Sequence, residues 1–208
     1  LYNRCLGTSS LVSRDWYDIL AIHLNGMSRN YKIRDQSKLY FVSYATVNWI
    51  DVLIRPVYKD IVIDSLKYCI ENKGLEIYAW CIMTSHVHLI IGSRQDKIEY
   101  ILRDHKRHTS KEITKAISDN PQESRREWIL WMLERAGKKN SNNETYQFWQ
   151  QNNNPIELST NKMMDQKLDY IHQNPVKEGF CWEPQEYKYS SAIDYAGGKG
   201  LLPILFIE

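Results

Sequence analysis

The stretch "LEIYAWCIMTSHVHLIIG", residues 75–92, constrains this chain more than any other. Two apolar runs, 75–83 and 86–92, are rich in β-branched and aromatic residues and are separated by Thr84 and Ser85. The pattern predicts a hairpin of two buried strands. The second run carries two histidines. Successive side chains on a strand point to opposite faces, so His86 and His88 share one face and Val87 and Leu89 the other. Two imidazoles side by side can satisfy local hydrogen bonds, or they can hold one metal ion.

The elements around the hairpin follow from periodicity and breakers. "KLYFVSYATVNWI" (38–50) has strand composition and no breaker. After Pro56, apolar residues at 57, 61, 62, 66, 69 and 70 predict a helix that stops at Gly74. A second helix is expected over about 96–118, and Pro121 opens another to about 135. "YQFWQ" (146–150) reads as a short strand, with a turn at "QNNNP". Ser159 or Thr160 can cap the helix "NKMMDQKLDYIHQ", which Pro175 should end at Asn174. A short helix is expected in the tail. The order strand–helix–strand–strand–helix–strand predicts an α+β fold, an antiparallel sheet with helices packed on one face. Residues 1–26 show no sustained period, and Met27 opens "MSRNYKIRDQ". The expectation is a non-native or disordered extension over 1–26, followed by a single domain over 27–208.

Composition bounds the class. At 208 residues, 43% hydrophobic and 25% charged, the chain is long enough for one domain with a real core. No apolar run approaches a membrane span, so no membrane partner and a cytoplasmic location are expected. Cys5, Cys69, Cys81 and Cys181 form no C-x-x-C pair, and reduced core thiols are expected at 69 and 81.

A second cluster lies in "DYIHQNP", 169–175. Tyr170 and Asn174 are one helical turn apart and share a side, away from the stripe Met164, Leu168, Ile171. A tyrosine packed on the sheet and an asparagine at the helix end would account for both. With the histidines they also fit one chemistry. A divalent metal held by His86, His88 and an Asn174 oxygen would leave positions for a phosphate, and Tyr170 would face it. A phenol has an ordinary pKa near ~10 and needs such help to act as a nucleophile.

These motifs resemble a known family. "AWCIMTSHVHLII", "YQFWQQNNNPIEL", "YIHQNPVKEGF" and "EYKYSSAIDY" are similar, in this order, to blocks of the single-strand HUH transposases with one catalytic tyrosine. Many insertion-sequence members carry Gln four residues after the tyrosine, and Asn174 favours the REP-associated tyrosine transposases. The resemblance implies a ferredoxin-like fold of HUH endonuclease type and dependence on Mg²⁺ or Mn²⁺. It further implies cleavage of single-stranded DNA near imperfect hairpins or palindromes, through a 5′-phosphotyrosine with a free 3′-OH. Tyr170 would be the nucleophile and His86, His88 and Asn174 the metal ligands. A monomer or homodimer, nucleoid-associated when bound to DNA, is expected.

Residues 94–115 hold seven Lys/Arg against four Asp/Glu, where a solvated helix face is the plain alternative to a DNA contact. On the family reading Arg103, Lys106, Arg107 and Lys111 would follow the hairpin backbone. His105 and His108 read as part of that face rather than as a second metal pair. Trp128 and Trp131 read as core, and Trp49 and Tyr44 as stacking candidates. The main rival is a domesticated, non-catalytic hairpin-binding regulator. A zinc hydrolase would need an acidic general base beside the H-x-H, and none is there.

Overall fold

The hairpin forms where its sequence places it, inside a four-stranded antiparallel sheet. The computed structural model describes residues 33–95, 97–139, 145–151 and 153–207, so the expectation for residues 1–26 lies outside it. The strands are β1 (Tyr40–Ala45), β2 (Leu75–Ile82), β3 (His86–Ser93) and β4 (Ile156–Glu157), in the spatial order β2–β3–β1–β4. The main helices are α1 (Pro56–Lys73), α2 (Ile98–Asp119), α3 (Arg126–Lys138) and α4 (Asn161–Lys177), with a one-turn α5 (Ala192–Tyr195) in the tail. β1 and β3 lie centrally, with a helix in each crossover, which is the ferredoxin-like arrangement. Among the described residues no helix is long and apolar enough to cross a membrane.

Local chemistry sets the boundaries. Pro56 stands at the first position of α1, where its missing N–H costs nothing. Gly74 ends α1 at φ 71°, a left-handed conformation that glycine adopts without a Cβ clash. Thr160 caps α4 by accepting a 3.3 Å hydrogen bond from the Met163 N–H.

The helices of the ferredoxin-like unit share one face, as expected. Tyr44 pairs with Val87 across the sheet, and its hydroxyl lies 2.8 Å from His105 Nε2 on α2. Ser65 on α1 reaches the other nitrogen of that ring, also at 2.8 Å. Helix α4 departs from the expectation by covering the opposite face, where Tyr170 meets His88. The reason is burial on both sides. Phe41 and Ile90 on one face and Tyr44 and Leu89 on the other are all buried, so one helical layer could not cover the sheet.

Three further expectations are corrected. Residues 146–150 form no ladder, and only Trp149 pairs, as an isolated bridge to Thr46. Gln150 instead bonds Ala45 and Thr46 through its backbone N–H and side-chain amide, while Lys106 on α2 grips the Gln150 carbonyl. Helix α4 runs through Pro175 to Lys177. A proline in the last turn forfeits one backbone bond, and burial of Ile171, His172, Asn174 and Pro175 offsets it. Trp128 and Trp131 are exposed, not core. Ile129 and Leu133 form the buried face of α3, and residues 128 and 131 lie off it.

The outer edge of β2 is closed by the tail. Ile82 N–H donates to Tyr189 C=O, Ser191 N–H to Trp80 C=O and Leu205 N–H to Ile77 C=O, each within 2.8–2.9 Å. This satisfies an edge that would otherwise offer unpaired backbone groups. Cys69 and Cys81 are buried free thiols, as expected.

Candidate active site

Strand β3 and helix α4 bring together the four residues that the sequence singles out. His86 and His88 lie on the same face with ring centroids 4.7 Å apart, as alternation requires. Helix α4 lies over them because Ile171 and His172 face inward. Ile171 is fully buried, and His172 Nε2 lies 2.9 Å from Ser191 Oγ, which itself bonds the Trp80 backbone. That anchoring sets Asn174 Nδ2 at 3.2 Å from His88 Nε2 and the Tyr170 ring at 5.2 Å from the His88 ring. Phe41, opposite Ile90 on β1, stacks on His88 at 5.7 Å and meets Tyr170 edge-on at 5.9 Å.

The electrostatics follow from this packing. Burial, then the neighbouring His86 and Lys167, holds His88 well below its ordinary 6.5, so the ring is neutral and one of its two nitrogens keeps a lone pair. Burial raises the Tyr170 phenol above 10, and a hydrogen bond from the Asn174 side chain pulls it back down. Lys167 and Lys177 place their ammonium groups 5.5 and 5.9 Å from the Tyr170 ring centre. Burial lowers the Lys167 pKa. These two lysines and Phe41 are site residues that the sequence reading missed. The signal was present: 167 and 177 lie three before and seven after Tyr170, which puts them on its side of a helix.

The donor set fits a divalent cation of mixed nitrogen and oxygen preference. His88 Nδ1 is buried without a hydrogen-bond partner, and its Nε2 has only the Asn174 amide. The oxygen and nitrogen ends of an amide have the same shape, so this position can donate to a bare imidazole or present an oxygen to a cation. Among the described residues no three His, Cys, Asp or Glu side chains converge. A cation here would therefore take two imidazoles and an amide oxygen, leaving positions open.

The basic residues divide. Arg103, Arg107 and Lys111 are exposed on α2 at four-residue spacing, with Arg103 lying over the Tyr100 ring. They form a line on the α1–α2 side of the sheet, across from the Tyr170 face. Lys106 is withdrawn from it. Its ammonium is bonded at 2.7 Å to both Gln150 C=O and Asn153 Oδ1, and burial brings its pKa down to about 8. His105 is core, not helix surface, and burial holds it at about 3. Tyr44 is buried against it and cannot stack on a base, whereas Trp49 is 46% exposed, with its ring 5.4 Å from that of His86.

Comparison with known proteins bears on the fold and on the segment that carries the two histidines. Residues 45–134 match the family described as IS200-like transposases. The matched segment contains both histidines and stops short of Tyr170 and Asn174. No curated protein matches the chain. A solved structure of a REP-associated tyrosine transposase bound to a REP hairpin shares the fold. Its TM-score is 0.57 at 18% identity, covering 89% of this chain and 92% of that one. Residues 45–134 are thus similar to the IS200-like transposases, and the fold built around them is similar to that of a REP-associated tyrosine transposase.

Proposed function

We propose that this protein is a divalent-metal-dependent endonuclease and strand transferase that acts on single-stranded DNA near hairpins. The observation that carries the reading is one cluster. A phenol, two imidazoles on one strand face and an amide meet at the contact of β3 and α4, flanked by two ammonium groups. The family match supports transposase chemistry, and the hairpin held by the structural neighbour supports DNA hairpins as partners.

Tyr170 Oη attacks the scissile phosphorus. The phenol loses its proton, the P–O3′ bond breaks, and the 3′ oxygen leaves as a hydroxyl after taking up a proton. The 5′ strand is then joined to Tyr170 as a phosphodiester. Because one phosphodiester replaces another, rejoining by a 3′-OH needs no nucleotide cofactor. A phenol raised above 10 is protonated at neutral pH, so stabilising its developing charge is the main requirement. The Asn174 amide and the ammonium groups of Lys167 and Lys177 supply part of that stabilisation. His86, His88 and Asn174 would hold Mg²⁺ or Mn²⁺, which when bound polarises the phosphate and offsets charge on the leaving oxygen.

The test is incubation of the protein with labelled single-stranded DNA from the flanks of its own gene, with Mn²⁺, followed by a denaturing gel. A covalent protein–DNA band is expected. Tight hairpin binding with no such band on any flank would favour the non-catalytic regulator.

A further inference from the structure

Strand β1 meets the candidate site through Phe41, Ser43 and Ala45, which share the face that carries the two histidines. Ser43 and Ala45 stand directly across from His88 and His86. Their side chains are too small to pack a ring in place. Phe41, one diagonal step away and opposite Ile90, supplies that contact. Its ring centre lies 5.7 Å from that of His88 with the planes 22° apart, so the two rings stack. The same phenyl meets the Tyr170 ring edge-on at 5.9 Å, and the Lys167 ammonium lies 4.8 Å from its centre. One buried side chain thus touches three groups of the site.

His88 needs such a support. A metal-bound imidazole is ordinarily held in plane by a hydrogen bond from its second nitrogen to a carboxylate or carbonyl. Here Nε2 faces Asn174, and Nδ1 is buried without a hydrogen-bond partner. A stacked phenyl does the same work by packing, because turning the imidazole would break the overlap of the two rings. Phe41 is itself fixed, since β1 pairs at this position with Ile90 on β3 and with Ile156 on β4. Lys167 has a related need. Burial disfavours its charged form, and the negative face of an aromatic ring offsets part of that cost.

We propose that Phe41 is a positioning residue for strand cleavage. Its stacking fixes the plane in which His88 offers a nitrogen to the cation, and its ring face holds the Lys167 ammonium beside Tyr170. The inference rests on the proposed nuclease reading and adds to it a residue that acts only through others. An aliphatic side chain would fill the space without fixing the imidazole plane or offering a face to the ammonium.

The experiment compares Phe41→Leu, Phe41→Met and Phe41→Tyr with the native protein, on labelled single-stranded DNA from the flanks of its own gene. With folded protein in saturating excess and Mn²⁺ present, the rate constant of adduct formation reads the bound complex and not the fraction folded. Phe41→Leu and Phe41→Met should lower it by about 10- to 100-fold, as when other groups that orient a metal-bound histidine are removed. Mn²⁺ binding to the DNA-free protein, followed by the electron paramagnetic resonance of the free ion, should weaken, and hairpin affinity should not change. Phe41→Tyr keeps the ring and should hold both quantities near their native values. A fall in either quantity that Phe41→Tyr reverses supports the inference. It is overturned if both are unchanged in whichever aliphatic variant folds, or if Phe41→Tyr loses as much. Failure of both aliphatic variants to fold would make Phe41 a core residue and overturn it equally. Absence of adduct from the native protein would instead overturn the nuclease reading, and the inference with it, so the two failures are distinguishable.

Discussion

Asn174 Nδ2 lies 3.2 Å from His88 Nε2, a contact between residues 86 positions apart that joins α4 to the central strand β3. It is the only hydrogen bond of the His88 ring among the described residues, since Nδ1 has no partner. Both side chains are buried, His88 at 4% and Asn174 at 7% exposure. An apolar pair would leave no buried polar group to satisfy there, and on the proposed function the two polar groups would serve as metal ligands.

Asn174→Ala tests that relationship in two ways. It leaves the His88 imidazole buried with neither nitrogen paired, which should cost about 1–3 kcal/mol, read as a fall in melting temperature. It keeps the phenol while removing one candidate ligand, so covalent adduct should fall and recover partly as Mn²⁺ is raised, because occupancy follows mass action. Adduct formation unchanged at low Mn²⁺ would remove Asn174 from the ligand set.

The basic line on α2 gives a second prediction. Replacing Arg103, Arg107 and Lys111 by alanine should lower the slope of log affinity against log salt for hairpin DNA by up to about 2.7. Lys106→Met should behave differently. Its ammonium is committed to Gln150 and Asn153, so the slope should hold while thermal stability falls. An unchanged slope in the triple variant would return α2 to a solvated face.

The distinction between Lys106 and its neighbours marks where the sequence stops being legible. The hairpin, α1 and the shared face of His86 and His88 were readable because strand alternation, a proline and a glycine each have one local physical meaning. Tyr170 and Asn174 could be paired by helical spacing, but nothing local says that α4 lies over β3. That depends on Ile171 and His172 docking against the sheet and tail, a long-range fact. The same limit explains Trp128 and Trp131, which belong to a helix with more apolar residues than its buried face can take. It also explains His105, whose two partners come from β1 and α1.

His105 sets a pH dependence of stability. In the fold it is held at about 3, against an ordinary 6.5, because burial disfavours the charged ring. Between those values the unfolded chain binds the extra proton, so stability should fall as pH drops from about 6.5 towards 3 and be complete above that window. One such histidine contributes a slope of at most about 1.4 kcal/mol per pH unit. His172, held at about 4 by burial, adds the same sign over a narrower window. Melting temperatures of the native protein and of His105→Gln across pH 4–7 check this. The variant should start lower and show the shallower decline, and parallel curves would count against it.

Tyr170→Phe separates enzyme from binder most sharply. The substitution removes one oxygen and keeps the ring that meets His88 and Phe41 edge-on, so the fold should persist. The lost hydroxyl forfeits its hydrogen bond to Asn174, worth about 0.5–1.5 kcal/mol net. Hairpin affinity should stay within a few-fold of the native value, because the neutral phenol carries no charge and the phosphate contacts proposed here are made by the cations of α2. The covalent band should vanish altogether. Lys167→Met gives the intermediate case. It keeps the nucleophile but removes one ammonium beside it, so adduct should form more slowly without disappearing. An adduct persisting in Tyr170→Phe would mean that another residue attacks the phosphate, and the cluster at β3 and α4 would need a different role.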